Sequence, residues 1–132
     1  MTKSTLTSNK PVILVRQADY GRLTALAQAS MDKDMAVGDE LMAELERATV
    51  VVDDAAAQRT IQMGSTATYR TGTSEPRNVT LVYPGEANIE ENRISILTPI
   101  GVALLGLSKA QSISWVARDG TTHTLKVVSV GK

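Results

Sequence analysis

The sequence predicts an α+β fold: a short N-terminal antiparallel helical hairpin, followed by a mainly antiparallel sheet with one helix packed on it. Three observations predict it. Apolar residues recur at helical spacing from Tyr20 to Ala48. The hydrophobic period changes to two from about residue 60. Strand-like segments never alternate with long helices, so no βαβ pattern supports a parallel sheet.

The elements follow in order. Residues 1–10 are polar and read as a disordered or frayed terminus. Pro11-Val-Ile-Leu-Val15 is a β-branched apolar run, long enough for a strand and too short for a helix. Its edge would be free to pair with a second copy in a weak homodimer. Asp19 offers an N-cap, and Tyr20, Leu23, Leu26, Ala27 and Met31 carry the first helical stripe. The polar stretch Asp32–Asp39 reads as a connection. Leu41, Met42, Leu45 and Ala48 carry the second stripe, capped by Asp39 and closing near Val50. Each helix is expected to span about 18–20 Å at 1.5 Å per residue.

Strands are expected at Thr66–Thr71, Asn78–Pro84, Arg93–Leu97, Ser112–Ala117 and Thr121–Val130, all rich in Thr, Val, Ile or Tyr. Thr71–Pro76 reads as a turn and Gly85–Asn92 as an acidic loop. Ile100–Gly106 is the one helix in this half, started after Pro99 and stopped by Gly106. Asp119-Gly120 invites a two-residue hairpin, but that register sets Ile113 opposite Lys126. A three-residue loop, Arg118-Asp119-Gly120, pairs Trp115 with His123 and Ile113 with Leu125, with Gly120 left-handed. The chain thus divides into 1–10, a strand and hairpin at 11–58, and a sheet domain at 59–132.

Composition removes several functions. The 132 residues hold 14 Lys and Arg against 14 Asp and Glu. This balance argues against sequence-specific nucleic-acid binding, which calls for a basic surface. With no Cys and one His, zinc ribbons, thiol nucleophiles and multi-histidine metal sites are excluded. No apolar run is long enough for a membrane helix, and the first ten residues lack a signal-peptide core, so the expected address is the cytoplasm. One Trp, three Tyr and no Phe leave little for an aromatic-lined pocket.

His123 alone suits proton transfer near neutrality, and beside Trp115 it reads as a sheet residue with no nucleophile motif to serve. Gly-Val-Ala-Leu-Leu-Gly at 101–106 has neither the spacing nor the lysine of a phosphate loop. Asp32 and Asp34 sit at the hairpin tip, where paired carboxylates suit a hard cation such as Mg²⁺. Aspartate is equally a turn and capping residue. No resident metal or cofactor is expected. Residues 32–54 hold eight acidic side chains against Lys33 and Arg47, a net charge of −6 on a neutral chain. An acidic arm on a basic body suits docking to a basic protein groove, and equally describes a solvated helix face.

Val82-Tyr-Pro-Gly-Glu-Ala87, Ile94-Ser95 and Thr98-Pro-Ile-Gly-Val-Ala-Leu-Leu-Gly106 resemble the C-terminal domain of the GreA/GreB transcript-cleavage factors. The resemblance is closer to the branch of that family called regulator of nucleoside diphosphate kinase (Rnk). That branch shares Leu81-Val-Tyr-Pro84, Pro99-x-Gly-x-Ala-Leu-Leu-Gly-Leu107, Ile113-x-Trp115 and, more weakly, Met42-Ala-Glu-Leu-Glu-Arg-Ala48. The resemblance implies an FKBP-like sheet, a coiled-coil hairpin and bacterial RNA polymerase as partner. It implies docking at the secondary channel through Thr98, Pro99 and Ile100, where Thr98 replaces the usual Ser. In the family a long hairpin brings tip carboxylates to the polymerase Mg²⁺ for RNA cleavage. The short hairpin here implies channel occupancy without efficient cleavage, by a regulator that is not itself an enzyme. Two alternatives are a contact that regulates nucleoside diphosphate kinase, and a cleavage factor using Asp32 and Asp34. Prolyl isomerase activity is disfavoured by the sparse aromatics.

Overall fold

The computed structural model describes residues 11–52, 54–72, 74–116 and 119–131. The expected fraying of 1–10 and the place of Arg118 in its turn lie outside the described residues. The order of elements is β1 (Leu14–Arg16), α1 (Gln17–Asp32), α2 (Ala36–Arg47), β2 (Thr49–Val51), α3 (Asp54–Ala57), β3 (Thr66–Thr71), β4 (Arg77–Val82), β5 (Arg93–Ser95), α4 (Pro99–Leu104), β6 (Ser112–Val116) and β7 (Thr122–Gly131). Two 3₁₀ turns, Pro84–Glu86 and Ile89–Glu91, occupy the acidic loop between β4 and β5.

The helices α1 and α2 pair antiparallel. Tyr20, near the start of α1, donates to the Leu45 carbonyl at the end of α2 at 3.1 Å. Close approach at the other end depends on Gly38, where a Cβ would lie 2.7 Å from the Met31 nitrogen. The expected helix boundaries need correction. α1 starts at Gln17, ahead of Asp19, and runs 16 residues, so it spans about 24 Å rather than the shorter length expected. α2 starts at Ala36, ahead of Asp39, and runs 12 residues. The connection is only Lys33–Met35, because a reverse turn closes it: Asp34 N–H bonds to Met31 O at 2.9 Å and Met35 N–H to Ser30 O at 3.0 Å. Asp34 takes φ 58°, the left-handed position that ends such helices.

α2 also stops earlier than its apolar stripe suggests. Thr49–Val51 leave the helix as β2 and pair parallel with β1, Val15 opposite Val50. Three β-branched residues in a row favour this extended state. The far edge of β1 is not free. Gln62 clasps it, accepting from Arg16 N–H at 3.0 Å and donating to Leu14 O at 2.7 Å. Leu14 N–H also points to Gly106 O at 3.4 Å.

The main sheet has strand order β5-β4-β3-β7-β6. It is antiparallel except at β4–β5, which pair parallel, in keeping with the mainly antiparallel sheet expected. The predicted hairpin register stands as derived: Trp115 faces His123, Ile113 faces Leu125, and Gly120 has φ 85°. One core joins both halves of the chain, running from Ile13, Leu23 and Leu41 through Leu81 and Ile96 to Leu104 and Leu125. Among the described residues no helix is long and apolar enough to cross a membrane.

Candidate protein-docking site

The segment Ser95–Pro99 sets the site. Thr98 caps α4: its Oγ1 accepts from Gly101 N–H at 3.0 Å and donates to Ser95 O at 2.7 Å. Pro99 follows at the first helical position, where its missing N–H costs nothing. Gly101 is required sterically, since a Cβ there would run into the Ser95 carbonyl oxygen. The motif thus has a structural use in each polar or special residue, and it leaves Pro99 exposed. Ile100 is half-buried and packs on the core, so only part of it is available to a partner.

Around Pro99 the surface is concave. A groove of about 450 Å³ has α4 residues Pro99, Val102 and Ala103 as its floor. One wall is α2, through Asp39, Glu40, Ala43 and Glu44; the other is β6, through Ile113, Ser114 and Trp115. A second cavity, about 390 Å³, adjoins it at Glu40, Pro99 and Trp115 and extends to the hairpin tip through Asp34, Met35, Ala36 and Val37. The helical hairpin therefore lies along the body, α2 beside α4. Glu44 is buried but paired, its Oε1 accepting from Arg47 Nη2 at 2.8 Å and Nε at 3.1 Å. Asp39 and Glu40 are exposed on the rim.

Trp115 also lines a third cavity, about 280 Å³, with Tyr69, Thr71, Glu75, Arg77, Ile100 and His123. His123 stacks on the Trp115 ring, centroids 5.6 Å apart. Next to this pair Asp119 accepts from Thr121 N–H at 2.9 Å. That hydrogen bond, to the carboxylate form, holds Asp119 below the usual range. Besides His123, the lining described holds the Thr71 hydroxyl, the Tyr69 phenol and the Glu75 carboxylate, and no Ser, Cys or Lys.

The structure brings Asp34 and Pro99, predicted as separate tip and docking residues, to the walls of one cavity. Asp32 is exposed at the end of α1 and accepts from Gln28 Nε2 at 3.1 Å. Among the described residues no three acidic or histidine side chains form a set able to hold a metal ion. Glu40, Ala43 and Trp115 were not foreseen as lining residues. The one signal for them is an acidic helix face next to an edge-strand Trp, and that juxtaposition exists only once the chain has folded.

Comparison with known proteins agrees with these elements. A family model described as transcription elongation factor GreA/GreB, C-terminal, matches residues 56–132, and one described as Rnk N-terminus matches residues 11–51. The chain is 29% identical over 123 residues to the regulator of nucleoside diphosphate kinase of Escherichia coli K12, covering 92% of this chain and 90% of that protein. It is 28% identical over 92 residues to the transcription elongation factor GreA of Thermodesulfovibrio yellowstonii, covering 69% of this chain and 58% of that protein. Among solved structures it is similar to a prokaryotic transcription elongation factor GreA/GreB from Nitrosomonas europaea. That match has a TM-score of 0.72 and 34% identity over 91% of this chain and 99% of the other.

Proposed function

We propose that this chain, which belongs to the transcription elongation factor GreA/GreB C-terminal family, is a cytoplasmic regulator that binds RNA polymerase at its secondary channel without efficient transcript cleavage. Its sheet with α4 on one face is read as the FKBP-like docking body of that family, and the exposed Pro99 with Thr98 and Ile100 as the docking turn. The chain binds and occludes; it has no reaction of its own.

The observation that carries this reading is the cavity shared by Asp34 and Pro99. Cleavage in this class, as the resemblance implies, needs carboxylates carried far beyond the docking body to the polymerase metal. Here the tip lies level with the docking turn, and the 16-residue and 12-residue helices leave no length in reserve. A partner that covers Pro99 meets Asp34 at the same depth. The net charge of −6 over residues 32–54 suits a basic channel rim.

The test is competition with a full-length Gre factor for core polymerase, run beside a cleavage assay on backtracked complexes. Displacement without cleavage is expected. Pro99→Glu should weaken binding about tenfold while melting within about 4 °C of the parent chain. Robust cleavage that disappears in the double variant Asp32→Asn, Asp34→Asn overturns the reading. A second reading, regulation of nucleoside diphosphate kinase through another contact, rests on the name of the Escherichia coli relative. Retention of purified kinase but not purified polymerase on the immobilised chain would favour it.

A further inference from the structure

The main sheet ends on β6, and among the described residues one side of that strand has no neighbouring strand. Its hydrogen-bonding parity follows from the bulge at its entrance. Ala110 N–H donates to Val127 O at 2.9 Å, and Val127 N–H donates to Gln111 O at 2.9 Å. With Ser112 opposite Lys126 and Ile113 opposite Leu125, alternation in the antiparallel ladder gives Ile113 and Trp115 the bonds to β7. The N–H and C=O groups of Ser112 and Ser114 therefore face away from the sheet. Among the described residues no hydrogen bond from outside the ladder meets the Ser114 backbone.

An unpaired edge is normally covered, or spoiled by lysine, proline or a bulge within it. Ser112-Ile-Ser-Trp-Val116 contains no lysine or proline. It opens instead on the groove whose floor is α4 and whose far wall is α2. Asp39 and Glu40 are exposed there, Asp34 borders the adjoining cavity, and among the described residues no basic side chain lines either space.

We propose that this groove takes an extended polypeptide segment, which adds as a further strand to the edge of β6. The segment carries apolar side chains over Pro99, Val102 and Ala103, and Lys or Arg side chains toward Asp34, Asp39 and Glu40. Main-chain pairing supplies the affinity in such strand addition, and alternate side chains supply the choice of partner. A helix in the groove would leave the Ser112 and Ser114 groups unmet. A second copy of this chain would set Asp39 and Glu40 against their own counterparts. The groove shares Pro99 with the docking turn proposed for polymerase, but the inference rests on the β6 edge and its test involves no polymerase.

The experiment is an NMR titration of the ¹⁵N-labelled full chain with a capped nonapeptide of alternating Lys and Val. Controls are the alternating Glu–Val peptide and a fully N-methylated Lys–Val peptide. The Lys–Val peptide should shift the Ser112 and Ser114 amides and slow their hydrogen exchange about tenfold. Each control should bind about tenfold more weakly or worse. Ser114→Pro removes the outward donor without touching the β6–β7 ladder, since proline is tolerated on that side of an edge strand. It should weaken Lys–Val binding about tenfold with unchanged circular dichroism. If that variant does not fold, the N-methylated peptide still decides. The proposal is overturned by unmoved Ser112 and Ser114 amides at millimolar peptide, by equal binding of the N-methylated peptide, by a helical Lys–Leu peptide that binds more tightly, or by self-association through β6.

Discussion

Tyr83 donates its hydroxyl hydrogen to Asp19 Oδ1 at 3.0 Å, tying the end of β4 to the first turn of α1. Arg16 Nη2 holds the other carboxylate oxygen at 3.2 Å, and the Arg22 guanidinium lies 3.6 Å over the Tyr83 ring. This cluster fastens the helical hairpin to the sheet at its base. Burial first, then the hydrogen bond to Asp19 and its charge, push the Tyr83 hydroxyl up to about 12 from 10.0.

A pH dependence follows. A group whose pKa is raised on folding contributes stability that is complete below its unfolded value, near pH 10, and lost as pH climbs through about 12. Tyr83→Phe should destabilise the chain by about 1 kcal/mol at pH 7. Denaturant melts at pH 9 and pH 11.5 should show the gap between parent and variant shrinking. A gap that stays constant would assign the Tyr83 effect to packing alone.

Asp34 occupies a left-handed position in the hairpin turn, φ 58°. Glycine accepts that geometry without a Cβ penalty, so Asp34→Gly should be neutral or stabilise by up to about 1 kcal/mol. Asp34→Ala should cost about 1 kcal/mol. Thermal melts of the two variants separate the turn role of Asp34 from any role of its charge. Asp34→Asn keeps the turn and is the right control in binding assays.

Ala110 has φ 75° at the third position of a turn closed by Gln111 N–H to Ser108 O at 3.1 Å. That position of a type II turn favours glycine. Ala110→Gly should raise stability by about 1 kcal/mol, measured as a higher denaturation midpoint with an unchanged slope.

Gln62 is only 3% exposed and satisfies both faces of the β1 edge. Gln62→Leu leaves Arg16 N–H and Leu14 O unpaired and should cost about 2–4 kcal/mol. It also bares the strand that the sequence offers for dimerisation. Analytical ultracentrifugation should find the parent chain monomeric and the variant prone to associate.

Local patterns made much of the sheet legible. Thr66–Thr71 is the strand read from its alternation, and the Trp115–His123 register follows from keeping apolar side chains on one face. The helical hairpin was readable in kind and not in extent. The apolar stripe carries the second helix to near Val50, but the β-branched run Thr49–Val51 goes extended and pairs with β1. Of the site, Pro99 and Asp34 were legible singly, by motif and by charge.

By itself the sequence determined the two hydrophobic periods, the helix start at Pro99 and the clustering of acid between residues 32 and 54. Each of these is a matter of neighbours a few residues apart. Tertiary structure alone decided that Asp34 and Pro99 share a cavity, that Gln62 seals β1, and that the edge of β6 opens on α2. Those relations join residues tens of positions apart, and they come from burying one common core, which no local pattern of charge or hydropathy encodes.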